Sequence, residues 1–134
     1  TETINTARRE LPAALAELTA GDGPEVVVEA IGLPATFRAA VEQVGYAGRV
    51  VYIGYAQDEV AYQTKQFILK EIDILGSRNA LPQDFAAVVA LLESGRFPTQ
   101  RAITRTVPFA AAGEALRAWD AAPGEVTRIH VLLP

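Results

Sequence analysis

Three glycines stand where short apolar runs stop: Gly32 after VVVEAI (26–31), Gly54 after RVVYI (49–53) and Gly76 within IDILGS (72–77). A glycine at a strand end lets a ligand come close to the backbone. It is also ordinary turn punctuation, and residue type leaves both readings open. The other residues that could do chemistry are few. There is no cysteine and one histidine, His130, so a zinc site of the usual Cys and His kinds cannot be assembled from this chain. His130 alternates with Ile129 and Val131 and reads as structural. Glu29 is an acid inside an apolar run, where an unpaired carboxylate is costly, so a structural role is expected, either at a less buried point or bonded to a neighbouring amide. Trp119 reads as core or interface packing. No arrangement of Ser, His and Asp points to nucleophilic catalysis.

The elements that must position these glycines follow from periodicity. VVVEAI and RVVYI are β-branched and apolar at nearly every residue, as are strands of a parallel sheet covered on both faces by helices. Between them Pro34 suits a first helical position, and Phe37, Ala40, Val41 and Val44 fall at i, i+3, i+4 and i+7, one apolar stripe that can pack back onto the sheet. The unit reads as βαβ, and ligands of open α/β sheets bind in the crevice beyond the carboxyl ends of the strands. Upstream, Thr3 to Asn5 is a candidate strand end. It is followed by a helix with Leu11, Ala14, Leu15 and Leu18 on one face and Gly21 as its stop. Downstream, VAY (60–62) is a candidate short edge strand, Thr64 opens a turn of helix through Phe67, Ile68 and Leu69, and IDILGS is a further strand. Pro82 opens a helix with Phe85, Val88, Val89 and Leu92 on one face and Gly95 at its end. RAITRTV (101–107) is strand-like, Pro108 and Phe109 begin a helix holding Ala112, Leu116 and Trp119, Pro123-Gly124 breaks it, and RIHVLL (128–133) is a closing strand. The alternation is that of an α/β protein. It leaves open whether the last two strands join the first sheet or belong to another domain.

At 134 residues the chain fits one domain or a piece of one. Half of it is apolar and 21% charged, with no apolar run near the length of a membrane span and no visible signal peptide, which points to a soluble globular protein without a membrane partner. A net charge of −4, with its 12 basic residues scattered, disfavours nucleic acid. The chain contains no methionine and is treated as a fragment of a longer one.

The ordered blocks VVVEAIG, RVVYIG, KEIDILGSR, LLESG, AITRTVPF, AGEALRAW and RIHVLL together resemble the C-terminal portion of the medium-chain, zinc-type alcohol and polyol dehydrogenases, along essentially the whole chain. KEIDILGSRNA followed by DFAAVVALLESGRFP is most similar to the branch that oxidises sugar alcohols and sugar acids. The resemblance implies the second half of a Rossmann-type parallel sheet. Residues 1–100 would be a partial dinucleotide-binding domain lacking its first βαβ unit, and 101–134 a strand-helix-strand contribution to the catalytic domain. It implies NAD or NADP as cofactor, with zinc held only by the N-terminal portion. No GxGxxG turn is present here to take the pyrophosphate.

By the same resemblance Ala30, Ile31 and Gly32 would line the adenosine and ribose path. Ile53, Gly54 and Tyr55 would pack near the nicotinamide, Gly76, Ser77 and Asn79 would hold its carboxamide, and Arg128 would reach the pyrophosphate as a two-pronged cation. Arg78 would meet a substrate carboxylate or cofactor phosphate, or stand as an exposed loop charge. The implied activity is hydride transfer between nicotinamide and a secondary alcohol of a polyol or sugar acid. The chain alone would show no turnover. The implied assembly is a homodimer or tetramer through the sheet edge at Val60 to Ser77, in the cytoplasm. Two rivals stand beside this reading: a zinc-independent, quinone-reductase-like relative, and a non-catalytic α/β binding or dimerisation module.

Overall fold

In the computed structural model, which describes residues 1–134, the glycine-terminated runs lie side by side. β1 (Val26–Glu29), β2 (Arg49–Tyr52) and β3 (Asp73–Gly76) form a three-stranded sheet in that order, parallel throughout. The register sets Val27 beside Val50 and Val50 beside Ile74, and ends with Glu29, Tyr52 and Gly76 abreast. Two helices bracket the first crossing of the sheet: α1 (Leu11–Leu18) precedes β1, and α2 (Pro34–Gln43) joins β1 to β2. The expected stripe of α2 is real. Phe37, Ala40 and Val41 are buried along it and Val44 at its end, and Ala40 and Val44 form the core with Val50, flanked by Val27, Tyr52 and Ile72. Burying a valine of this kind stabilises the fold by about 2 kcal/mol.

A short α3 (Lys65–Lys70) leads into β3 and supplies a clamp. The Lys70 ammonium donates to the carbonyls of Val41 (3.3 Å), Glu42 (2.7 Å) and Val44 (2.9 Å), the unsatisfied C-terminal groups of α2. Burial pulls the Lys70 pKa below its ordinary value, and the nearby Glu42 carboxylate works the other way.

Four expectations fail, each for a local reason. The sheet is not covered on both faces: α2 packs on one, while Val26 (53% exposed) and Val28 (55%) stand bare on the other. Thr3 to Asn5 is no strand, because Asn5 gathers the chain into a turn, its backbone oxygen accepting from Arg8 and Arg9 and its side chain from Ala7. The VAY run has no strand partner. Tyr62 instead turns inward, its hydroxyl 3.0 Å from that of Tyr52 and its ring 5.8 Å from Phe67. In RAITRTV the first residues belong to a helical turn, α5 (Thr99–Ala102), after α4 (Pro82–Glu93). The amides of Arg101 and Ala102 both close onto Pro98 oxygen, and the strand β4 begins only at Arg105.

The chain divides into two compact units, Thr1–Asn79 and Ala80–Pro134. In the second, β4 (Arg105–Pro108) pairs in parallel with β5 (Ile129–Leu132), Val107 beside Val131, as a two-stranded sheet of its own. The last two strands therefore do not join the first sheet. Between them α6 (Ala112–Ala121) buries Ala115, and Val126 is also buried. Thr127 ties the approach to β5 onto the chain before β4, its amide on Thr104 Oγ1 (3.1 Å) and its hydroxyl on Ala102 oxygen (2.7 Å). α4 starts where Asp84 accepts the Leu81 amide at 2.7 Å, and ends near Gly95, whose φ of 67° is left-handed. Its apolar stripe of Phe85, Val88, Val89 and Leu92 is exposed. No helix of the chain is long and apolar enough to cross a membrane.

Candidate functional site

Parallel strands in register deliver their carboxyl ends to one side, so the segments leaving β1, β2 and β3 form a common rim. Ile53 and Gly54 both donate their amides to Glu29 oxygen (2.8 and 3.0 Å), and Ser77 donates to Tyr52 oxygen (2.9 Å), which carries the ladder one step past each strand. Ala30, Ile31 and Gly32, then Ile53, Gly54 and Tyr55, then Gly76, Ser77 and Asn79 all belong to this rim. Ile31 and Tyr55, each 71% exposed, are its most open large side chains. Asn79 has a left-handed backbone, φ 62°. Arg128 belongs to the other unit, exposed at the entry to β5, with its backbone oxygen accepting from Thr104 and Arg105.

The three glycines differ in what their missing side chains leave free. Gly32 has φ 86°, and a Cβ there would lie 2.7 Å from Tyr55 oxygen. A Cβ on Gly54 would lie 2.5 Å from Gly32 nitrogen and would fall on Glu29 Oε2. At these two positions the close approach that glycine permits is taken up by the neighbouring segment of chain, not held open for a ligand. That corrects the physical reason given for Gly32 and Gly54. Gly76 is the open one: nothing lies within 4 Å of where its Cβ would be.

What locks the first two segments together is Glu29. The residue is only 4% exposed, and its Oε1 accepts from the amides of Ile31 (3.0 Å) and Gly32 (2.8 Å) and from the Thr36 hydroxyl (2.6 Å). Oε2 is buried without a hydrogen-bond partner, against Gly54. Burial, the largest single influence, pushes the carboxyl pKa upward. The donors Thr36, Gly32 and Ile31 together outweigh it and hold the carboxyl below its ordinary value. Of the two placements expected for Glu29, the less buried point fails and the bond to a neighbouring amide is present twice over. Thr36 escaped the sequence reading. Its signal was a hydroxyl in the first turn of the helix after the strand that carries the lone acid.

Next to this cluster Tyr52 stacks on Phe37, ring centroids 4.5 Å apart. Its phenol is pushed well above the ordinary range by burial, by the Tyr62 hydroxyl and by the Glu29 charge, so it stays protonated. Alongside β1 runs a mostly apolar cleft of about 460 Å³ lined by Leu11, Leu15, Val26, Val28, Ala39 and Gln43 among others. His130 is exposed, and no group of three or more His, Asp or Glu side chains is placed to hold a metal ion. The residues present do not fit a zinc site.

A parallel sheet with helical crossovers and its strand ends along one rim is an α/β arrangement of the Rossmann-like kind. Comparison with known proteins then makes the family plain. A protein-family model described as zinc-binding dehydrogenase matches residues 1–94, and the chain belongs to that family. It is 32% identical over 94 residues to L-galactonate-5-dehydrogenase of Escherichia coli K12, covering 70% of this chain and 28% of that protein. Among solved structures, alcohol dehydrogenase TADH from Thermus sp. ATN1 superposes over 98% of this chain and 38% of its own, with a TM-score of 0.83 and 25% identity. An alcohol dehydrogenase from E. coli CFT073, solved with NADH, has the same fold over 96% of this chain and 37% of its own (TM-score 0.84, 23% identity). The chain thus spans less than a third of the length of its curated relative.

Proposed function

We propose that this chain is the cofactor-side part of an NAD- or NADP-dependent dehydrogenase that transfers hydride between nicotinamide and a secondary alcohol of a polyol or sugar acid. The observation that carries the reading is the rim itself: three strand ends abreast, two of them locked to each other and the third, at Gly76, open. A backbone edge fixed in this way suits a flat amide, because its N–H and C=O groups are held by the sheet and lose no freedom on binding.

In this reading Gly76, Ser77 and Asn79 hold the carboxamide, Ile53, Gly54 and Tyr55 flank the ring, and Ala30, Ile31 and Gly32 border the ribose. The nicotinamide, when bound, would supply the hydride acceptor for oxidation of a secondary alcohol to a ketone, with one proton released to solvent; the residues of this chain would bind and orient it. Zinc as Lewis acid would belong to residues outside this chain, and residues 101–134 to the catalytic domain. The match over residues 1–94 supports 1–100 as the nucleotide side. The name of the E. coli relative, L-galactonate-5-dehydrogenase, supports a sugar acid as substrate, and the family's description, zinc-binding dehydrogenase, supports a zinc-dependent alcohol oxidation over a zinc-independent reductase or an inert module.

We also place the protein in the cytoplasm as a homodimer or tetramer. Support for self-association comes from β3, an exposed edge strand in its sheet, within the candidate segment Val60 to Ser77. The test of the main reading is a fluorescence titration with NADH and NADPH, followed by turnover assays on sugar acids and polyols with the full-length gene product. Saturable binding of one nucleotide with turnover of such an alcohol is the expected result. Failure of both nucleotides to bind would overturn it.

A further inference from the structure

The rim contains a charge that the hydride-transfer reading does not use. Glu29 is almost wholly buried at the last position of β1, yet its carboxylate oxygens are treated unequally: Oε1 takes three donors while Oε2 takes none. If the only task were to cap the turn, a single neutral acceptor would serve, without burying a second, unpaired oxygen. What the carboxylate adds is reach in two directions. One oxygen fixes the amides of Ile31 and Gly32 and the first turn of α2. The other lies against the Cα of Gly54, which has no room for a side chain there. The backbone repeats the link, since Glu29 oxygen accepts from Ile53 and Gly54. One residue therefore holds the exits of β1 and β2 as a single body.

We propose that Glu29 is a positioning residue for nucleotide binding: its carboxylate sets the spacing of the Ala30–Gly32 and Ile53–Tyr55 segments, so that the rim is formed before the nucleotide arrives. The inference rests on the dehydrogenase reading above. Thr36 is its accessory, supplying the shortest of the three bonds and tying α2 to the same oxygen. Glu29→Gln keeps the size of the side chain and one acceptor, but removes the charge and places an amide group where Oε2 meets Gly54 or where the three donors converge.

The test is the dissociation constant for NADH or NADPH, whichever the wild type binds, in the full-length gene product, well below its melting temperature. Wild type is compared with Glu29→Gln, Thr36→Val and the core control Val44→Ala. Expected are native circular dichroism in all four, a dissociation constant raised tenfold or more in Glu29→Gln and several-fold in Thr36→Val, and no change in Val44→Ala despite its lower Tm. A cofactor KM that rises while kcat holds would agree. Wild-type affinity in a folded Glu29→Gln overturns the inference and leaves the dehydrogenase reading standing. If Glu29→Gln does not fold, unchanged affinity in Thr36→Val overturns it. A loss of affinity in Val44→Ala equal to that in Glu29→Gln also overturns it, since stability alone would then explain the effect. If the wild type binds neither nucleotide, the function reading falls and takes this inference with it.

Discussion

One added methyl group separates the rim glycines. At Gly54 it would meet Gly32 nitrogen and the Glu29 carboxylate, backbone and buried charge that cannot step aside, whereas at Gly76 it would meet nothing. Gly54→Ala should cost about 3 kcal/mol in urea unfolding, while Gly76→Ala stays within about 0.5 kcal/mol. Equal costs would show that the two loops do not pack as described. Gly76→Ala should act instead on nucleotide affinity, since it fills open space where the proposed function puts the carboxamide. Glu29 adds a pH signature. Its folded pKa lies below the unfolded one, so it contributes stability above the ordinary carboxylate range, and that contribution is lost as pH falls through the folded pKa. The difference in unfolding free energy between wild type and Glu29→Gln should therefore be full near neutrality and shrink in acid; a difference that grows in acid would mean the carboxyl is held protonated. At this scale the sequence carried the oddity of an acid in an apolar run, and with it a choice between a less buried place and an amide partner. It did not carry the meeting of Gly32 with Gly54 and Tyr55, because glycine spacing says where a chain can come close but not what comes close to it.

Among elements, the helix between the first two strands was the most legible, since the i, i+3, i+4, i+7 stripe from Phe37 to Val44 has one way to bury itself. Its C-terminal support was invisible. Lys70 comes from 26 to 29 positions away to meet three carbonyls, and a lysine in FILK looks like any solvated charge. Lys70→Met keeps the stem but removes all three bonds and the favourable charge at a helix C-terminus. A loss of about 1 to 2 kcal/mol is expected in thermal or urea unfolding. If Lys70→Met matched wild type, water would be serving those carbonyls equally well. The misread elements share one cause: Asn5, Tyr62 and Pro98 each drew a β-like run into a local turn or an inward contact, and a period-two pattern does not register a competing side-chain or turn bond. RAITRTV was half right on these grounds, its strand arriving only once the helical turn on Pro98 had closed.

Across the whole chain, apolar composition promised more cover than the fold provides. Val26 and Val28 on the sheet, and Phe85, Val88, Val89 and Leu92 on α4, have the spacing of buried faces and stand exposed. Spacing tells that a face is fit to be covered, while the covering element is a separate fact of the chain. The same division applies to the chemistry. Oxidising an alcohol by hydride transfer needs a group that stabilises the alkoxide as the hydride leaves, and a bound metal ion does so as a Lewis acid. This chain has no cysteine, one exposed histidine and no acidic or histidine cluster placed for a metal. The isolated 134-residue chain, supplied with NAD or NADP, zinc and a sugar acid or polyol, should therefore form no reduced nicotinamide above the blank, even where titration shows that it holds the nucleotide. Absorbance of the reduced cofactor reads the outcome directly. Alcohol-dependent, chelator-sensitive turnover by this chain alone would mean that a metal site forms among residues that the fold keeps apart, and the division between a rim that holds and a site elsewhere that reacts would have to be abandoned.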